Sequence, residues 1–336
     1  MISLEKMKRV SELVDEYGVN GACEREAEEH RPISITSIKD YCRRYKKYLN
    51  DKRLAKGEAK ILLFDIETDF MVNATWGLWK QNIHIGQIIK DWSMICWSAK
   101  WLFSETIYSG TVTPEESLMR DDKKATIELW KLVDEADVII AHNLAGFDKK
   151  KMNTCFLKHD LGQPSSYQMI DTLLIARSNF AISSNKLDYL AKFFGLPMKF
   201  DTSFSLWREC DGIDAIVTEE ITSTSKSILK ITTYNKKVIQ KALDYMVEYC
   251  KNDVSVLESI YLILRAWDKR HPNLALYGQE KGGRCYVCKG TNFVDTSPYL
   301  TPVSIYPAKR CLDCGAINHS RFAEKRDKEL LRGCAR

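Results

Sequence analysis

No segment of the 336 residues is both long enough and free enough of charge to span a bilayer, and no positively flanked apolar stretch opens the chain. Neither membrane insertion nor export by a leader is expected, and the working compartment is expected to be a reducing cytoplasm. No internal repeat or low-complexity tract stands out. Charge of neither sign dominates: 50 Lys and Arg stand against 45 Asp and Glu, a net charge of +5. That balance is compatible with a polyanionic partner but does not demand one. Disulfides are not expected in such a compartment, so the eleven cysteines read as free or metal-bound. Seven are scattered singly, as core or surface thiols, and four form a pattern.

Apolar content of 45% and charged content of 28% suit a globular protein whose length allows a full α/β core plus small modules. Residues 1–56 are expected to form a helical module with a short linker. Leu4, Met7, Val10, Leu13 and Val14 recur at helical spacing and end at Gly18. A second helix starts near Asn20, and Ser34-Ile35-Thr36 can cap a third among basic residues that include Arg43, Arg44, Lys46 and Lys47. Helix, glycine turn, helix, basic helix is the outline of a helix-turn-helix; any small bundle shares it. Residues 51–60 read as a linker.

Residues 57–275 are expected to fold as an α/β domain with a mixed sheet flanked by helices. Strands are predicted at 61–65, 92–101, 106–108 and 137–141, and helices at 122–135, from Asp148, at 187–194 and within 236–267. The Ser/Thr-rich residues 211–235 read as an inserted loop or ribbon. Residues 276–320 form a small cysteine module, and 321–336 a basic tail.

Three carboxylate motifs stand out. In Leu62-Leu63-Phe64-Asp65-Ile66-Glu67-Thr68, Asp65 and Glu67 fall two apart on a strand and share one face. Two such acids repel unless a cation lies between them, which points to a hard divalent ion; a strand end emerging into solvent is the bland alternative. His142-Asn143 ends a buried-type strand and Phe147-Asp148 follows in a loop, where α/β folds place ligands, although Asp148 equally suits a helix N-cap. Tyr249 and Asp253 stand at i and i+4, one turn apart on one helix face.

In this order the motifs resemble those of the DEDD exonuclease superfamily, in its tyrosine branch, which includes the exonuclease domains of family-B DNA polymerases. The histidine branch would have His where Glu248 stands. Trp76-Gly77-Leu78-Trp79-Lys80-Gln81-Asn82, Asp171-Thr172 and Lys186-Leu187-Asp188-Tyr189-Leu190-Ala191 look like phage-type members. The resemblance covers about residues 60–275 and implies a ribonuclease-H-like core. It further implies 3′→5′ hydrolysis with two Mg²⁺ or Mn²⁺: Asp65 bridges the ions, Glu67 and Asp253 complete one site, and Asp148 helps hold the other. Ions about 3.5–4 Å apart can clamp the attacking and leaving oxygens. A phenol near pKa 10 is a poor base at neutral pH, so Tyr249 is assigned to orienting the attacking water. Thr68, His142, Asn143, Trp76, Trp79, Tyr167 and Lys149 are candidates for supporting the site or stacking and holding a 3′ end. Core packing is the ordinary role of the aromatics, loop anchoring that of His142 and Asn143, and a solvated helix start that of Lys149.

Cys285-x₂-Cys288 and Cys311-x₂-Cys314 supply four thiolates, enough for one closed tetrahedral Zn²⁺, with Gly290 and Gly315 placed for knuckle turns. A structural zinc ribbon is expected. The expected partner is nucleic acid, DNA favoured over RNA, with a DNA polymerase or replication protein assisted in trans; if the chain is phage-encoded, the compartment is the host cytoplasm. A ribonuclease on the same core and a catalytically silent DNA-binding protein are the alternatives.

Overall fold

The computed structural model describes residues 4–29, 32–56, 59–197, 202–222, 228–277 and 282–326. The tail basic residues Lys328, Arg332 and Arg336 lie outside the described residues, as do residues 223–227 of the insertion. The chain forms two compact units, residues 1–59 with 274–283 and residues 60–273 with the chain from 284 on.

In the first unit, α1 (Leu4–Glu29) breaks at Gly18, whose φ of 72° and ψ of 175° are not helical. This is where the apolar spacing ends in sequence. After it comes α2 (Ile35–Lys56), entered through Ser34, whose Oγ accepts the Ser37 N–H at 3.1 Å. The apolar stripes of both helices meet: Val10, Ala22 and Ile38 are fully buried, with Leu13, Val19 and Tyr41 against them. Glu26, buried on α1, is paired with Arg9. The expected linker at 51–60 is corrected, because α2 continues through Lys56; a polar, lysine-rich stretch there has good helix propensity.

The second unit opens with β1 (Ile61–Thr68), β2 (Val72–Asn73), β3 (Ile88–Lys90), β4 (Met94–Trp101) and β5 (Ile107–Thr111). Then come α3 (Pro114–Met119), α4 (Lys123–Glu135), β6 (Val138–Ala141), α5 (Asp148–Lys158), β7 (Gln168–Asp171), α6 (Thr172–Asn179), α7 (Leu187–Phe193) and α8 (Phe204–Asp211). A ribbon of β8 (Ile216–Thr222) and β9 (Ile228–Tyr234) precedes the 29-residue α9 (Lys236–Leu264). Five strands form one mixed sheet in the order β5-β4-β1-β6-β7. β4 runs antiparallel to β1 and β5, while β6 runs parallel to β1 and β7.

Alternation along β1 decides the layers. Leu62, Phe64 and Ile66 pack with Leu129 and Val133 of α4 and Met152 and Phe156 of α5. On the other face, Ile95 and Cys96 of β4 meet Ile239, Leu243, Met246 and Cys250 of α9. The expected strands and longer helices are present, and the 211–235 insertion is the β8–β9 ribbon. The short helices α3, α6 and α8 were not expected. Among the described residues, no helix is long and apolar enough to cross a membrane.

A second, antiparallel sheet follows in the same unit: β10 (Phe293–Thr301), β11 (Ser304–Cys311) and β12 (Ile317–His319), with β13 (Lys325–Arg326) also on β11. Strand pairing thus continues into what the sequence suggests is a tail.

Candidate metal centres

Asp65, Glu67 and Asp253 each offer a carboxylate oxygen within 4.8 Å of the others, a group able to hold a metal ion. The two strand acids share the α9 face of β1, and one turn of α9 brings Tyr249 to Asp253, whose carboxylate accepts the phenol proton. Trp207 of α8 lies edge-on to the Tyr249 ring, centroids 6.4 Å apart. Asp148 is buried at the first residue of α5. It accepts the Ile66 backbone N–H and lies close enough to Asp65 for their charges to repel. It is outside the 4.8 Å group, and the α5 cap position belongs to Phe147, not to Asp148.

Burial pushes Asp65 up to about 6, against the opposing help of the Cys250 thiol and the Ile66 N–H. Burial and then the Asp65 charge push Asp253 up to about 7. Glu67 and Asp148 are pushed up by burial first and by Asp65 next. Burial, with Asp253 beside it, also raises the Tyr249 phenol well above its usual range. Among the described residues, none of these four acids is ion-paired to Lys, Arg or His. Ser98, directly across from Asp65 on β4, has a buried hydroxyl without a hydrogen-bond partner. Hard oxygen donors, mutual repulsion and an orphaned hydroxyl together fit a divalent cation.

The supporting candidates divide. His142 is anchored at both ring nitrogens, Nδ1 to Thr172 Oγ1 at 2.9 Å and Nε2 to the Asn185 carbonyl at 2.8 Å. Because the carbonyl can only accept, Nε2 carries the proton. Asn143 takes φ 74° and gives its N–H to Asp171. Both residues therefore hold the loop that carries Asp148. Thr68 ends β1 beyond a bulge. Core packing is overturned for Trp76 and Trp79, which are 97% and 84% exposed; the chain after β2 gives them no opposing layer. Tyr167 and Lys149 line a surface groove of about 740 Å³ with Asn153 and Phe156.

Three contributors were not singled out as site residues by the sequence. The Cys250 thiol donates to Asp65 Oδ2 at 3.4 Å, and Cys96 faces Glu67 across the β1–β4 pair. Asp171 clamps the Asp148 loop, accepting N–H groups of Asn143 and Ala145 at 3.1 and 3.0 Å while capping α6 through Leu173 and Leu174. Its Asp-Thr dipeptide is visible in sequence; its reach to residue 143 is not.

The second centre is built from Cys285, Cys288, Cys311 and Cys314, whose sulfurs all lie within 4.8 Å of one another. Cys285 and Cys314 are 3.5 Å apart, and Cys288 and Cys311 3.6 Å. Four sulfurs around an ion at about 2.3 Å would stand about 3.8 Å apart, so the set fits tetrahedral coordination. Each knuckle is closed by backbone bonds, Lys289 N–H to Cys285 and Gly315 N–H to Cys311. A side chain at Gly290 would strike the Asp313 carboxylate, and Gly315 holds φ at 81°, which explains both glycines. Asn318 Nδ2 and the Gly290 N–H point at Cys285 and Cys288 sulfurs, at 3.5 and 3.4 Å. No family model and no curated protein matches this chain.

Proposed function

We propose that the chain is a metal-dependent 3′→5′ exonuclease with a ribonuclease-H-like core, of the DEDD type in its tyrosine branch, with DNA favoured over RNA as substrate. The observation that carries this reading is the convergence of Asp65, Glu67 and Asp253 from β1 and α9 within 4.8 Å of one another, none of them ion-paired among the described residues. Asp65, Glu67 and Asp253 would hold divalent ions, with Asp148 beside Asp65. Ions bound there supply positive charge at the scissile phosphate and acidify a water.

The chain's own groups do the positioning. The Tyr249 hydroxyl donates a hydrogen bond to Asp253, which leaves its oxygen to accept a hydrogen bond from a water and hold it in line. With its phenol raised, Tyr249 stays protonated and does not act as the base. His142, Asn143 and Asp171 fix the loop that presents Asp148. Exposed Trp76 and Trp79 provide faces on which a terminal base can stack. The four-cysteine module is read as a ribbon closed by one structural Zn²⁺.

The test is incubation of the full chain with 5′-labelled single-stranded DNA and RNA of equal sequence, with Mg²⁺, with Mn²⁺ and with chelator, beside Asp65→Ala/Glu67→Ala. A metal-dependent ladder of shortened products that vanishes in the variant is expected. Binding without cleavage under both metals would sink the reading and bring forward a silent DNA-binding protein.

A further inference from the structure

The C-terminal module carries a sheet face that the cysteine site does not use. Residues directly opposite in an antiparallel pair share a face, and three adjacent rows on one side form the surface of interest. Tyr299 pairs with Tyr306; Thr296, Ala308 and His319 form the next row; Val294, Arg310 and Ile317 form the third. A bulge between Thr296 and Tyr299 keeps Tyr299 on this face. The His319 ring stacks on Tyr299, centroids 4.7 Å apart and planes within 14°. Tyr306 closes the cluster at 5.5 Å from His319 and 6.2 Å from Tyr299. The His319 Nδ1–H is held by the Ser320 carbonyl at 2.9 Å, which fixes the ring's orientation. Ala308 is buried beneath the rings, yet Tyr299, Val294 and Ile317 are 49%, 47% and 42% exposed.

Charge on this face has one sign. Arg310 is exposed and spends one N–H on the Gly315 carbonyl at 3.5 Å, so most of its donors remain for a ligand. Asp295, next to Val294 in sequence, belongs to the opposite face, where it pairs with Lys309 at 3.5 Å. Among the described residues, none of the three rows contains a carboxylate. Arg321, exposed just after β12, adds a second cation near the edge.

We propose that this face binds single-stranded nucleic acid, with bases stacked on the Tyr299–His319–Tyr306 cluster and a phosphate held by Arg310. The surface shares no residue with the acidic cluster, and the proposal goes beyond hydrolysis to the grip on the strand. Aromatic rings accept any base by its π-face, and a duplex hides those faces within its own stack. A part-exposed cluster of Tyr and His beside an arginine with donors to spare matches a polyanion with exposed rings better than it matches an aliphatic protein surface.

The experiment is fluorescence anisotropy of a labelled 20-nucleotide single strand with the full zinc-replete chain, without added Mg²⁺ or chelator so that no cleavage occurs. Tyr299→Ala/Tyr306→Ala is expected to weaken binding about tenfold or more, while Tyr299→Phe/Tyr306→Phe stays within about twofold. Arg310→Ala, which leaves rings and thiolates in place, is expected to lower the slope of log Kd against log salt by about 0.7. Zinc content and melting temperature of each variant check folding. If the alanine pair loses its zinc, the Arg310→Ala slope decides alone. An unchanged affinity in a folded alanine pair, an unchanged slope, or a duplex of equal length binding as tightly through the same residues would each overturn the proposal. So would a change in self-association without a change in strand affinity, which marks the face as a protein interface. Cleavage is scored separately: intact cleavage with unaltered binding removes only this face, and altered binding in a chain that never cleaves removes only the nuclease reading.

Discussion

Asp65 and Asp253, lifted to about 6 and about 7, hold protons in the folded chain that they would release above pH 4 when unfolded. Between those values the native state binds more protons than the unfolded state, so its stability falls as pH rises through about 4 to 7. Metal reverses the trend by replacing the protons. Mg²⁺ is therefore expected to raise the melting temperature more at pH 7.5 than at pH 5, read by thermal melts at both pH values. Asp253→Asn should stabilise the metal-free chain by on the order of 1 kcal/mol, a few degrees, while abolishing metal-dependent cleavage. Equal Mg²⁺ shifts at the two pH values would contradict the assignment. Tyr249 makes a separate statement. Tyr249→Phe keeps the ring against Trp207 and removes only the hydroxyl that Asp253 orients. It should lower kcat about 10- to 100-fold with little change in KM, because a water-orienting bond matters in the transition state. A KM effect with unchanged kcat would instead place the phenol on the substrate.

At the scale of elements, what was legible followed from period and run length. The Asp65–Glu67 pair was readable because a strand alternates, and the Tyr249–Asp253 pair because a helix turns every 3.6 residues. The apolar runs of β1 and β6 and the periodicity of α9 were equally plain. Nothing local says that β1 and α9 meet, or that Cys96 and Ser98 lie opposite Glu67 and Asp65, since cross-strand register is a tertiary fact. The short helices α3, α6 and α8 have six to eight residues, too few for a periodic window. Their ends are fixed by particular residues: Thr113 and Glu116 form a capping box around Pro114. Gly212 is the sharpest of these boundaries. It closes α8 at φ +84°, and a Cβ there would come within 2.7 Å of Leu118 and 3.1 Å of Ile239. Gly212→Ala therefore meets both a left-handed backbone and the packed root of α9, a cost of about 2 kcal/mol or more. Thermal or urea melts would register it, and a loss below about 0.5 kcal/mol would mean that the α8–α9 junction is slack.

At the scale of the whole molecule, α9 and the chain just beyond it connect the two candidate metal centres of the second unit. Tyr249 and Asp253 sit in the middle of α9, and the chain just beyond its end meets the cysteine module: Ala266 packs on the module's core, and the Tyr286 hydroxyl donates to the Asp268 carbonyl at 3.5 Å. His271 links the two, its Nε2 3.0 Å from the buried Tyr261 hydroxyl of α9 and its ring edge-on to Tyr286. The module has little core of its own: its central cluster holds four buried residues, two of them cysteines, so the ion should supply much of its folding free energy. Cys311→Ser is then expected to take zinc from one per chain to none, by metal analysis, and to unfold the module. The main sheet, with its separate cores on both faces, should remain folded. The acidic cluster draws none of its candidate ligands from the module. Its chemistry should survive while the strand grip fails. Cleavage of a short oligonucleotide should keep its kcat, and a longer single strand should show a KM raised about tenfold. Loss of kcat on both substrates would show that the module props α9 itself, and that the two centres are mechanically one.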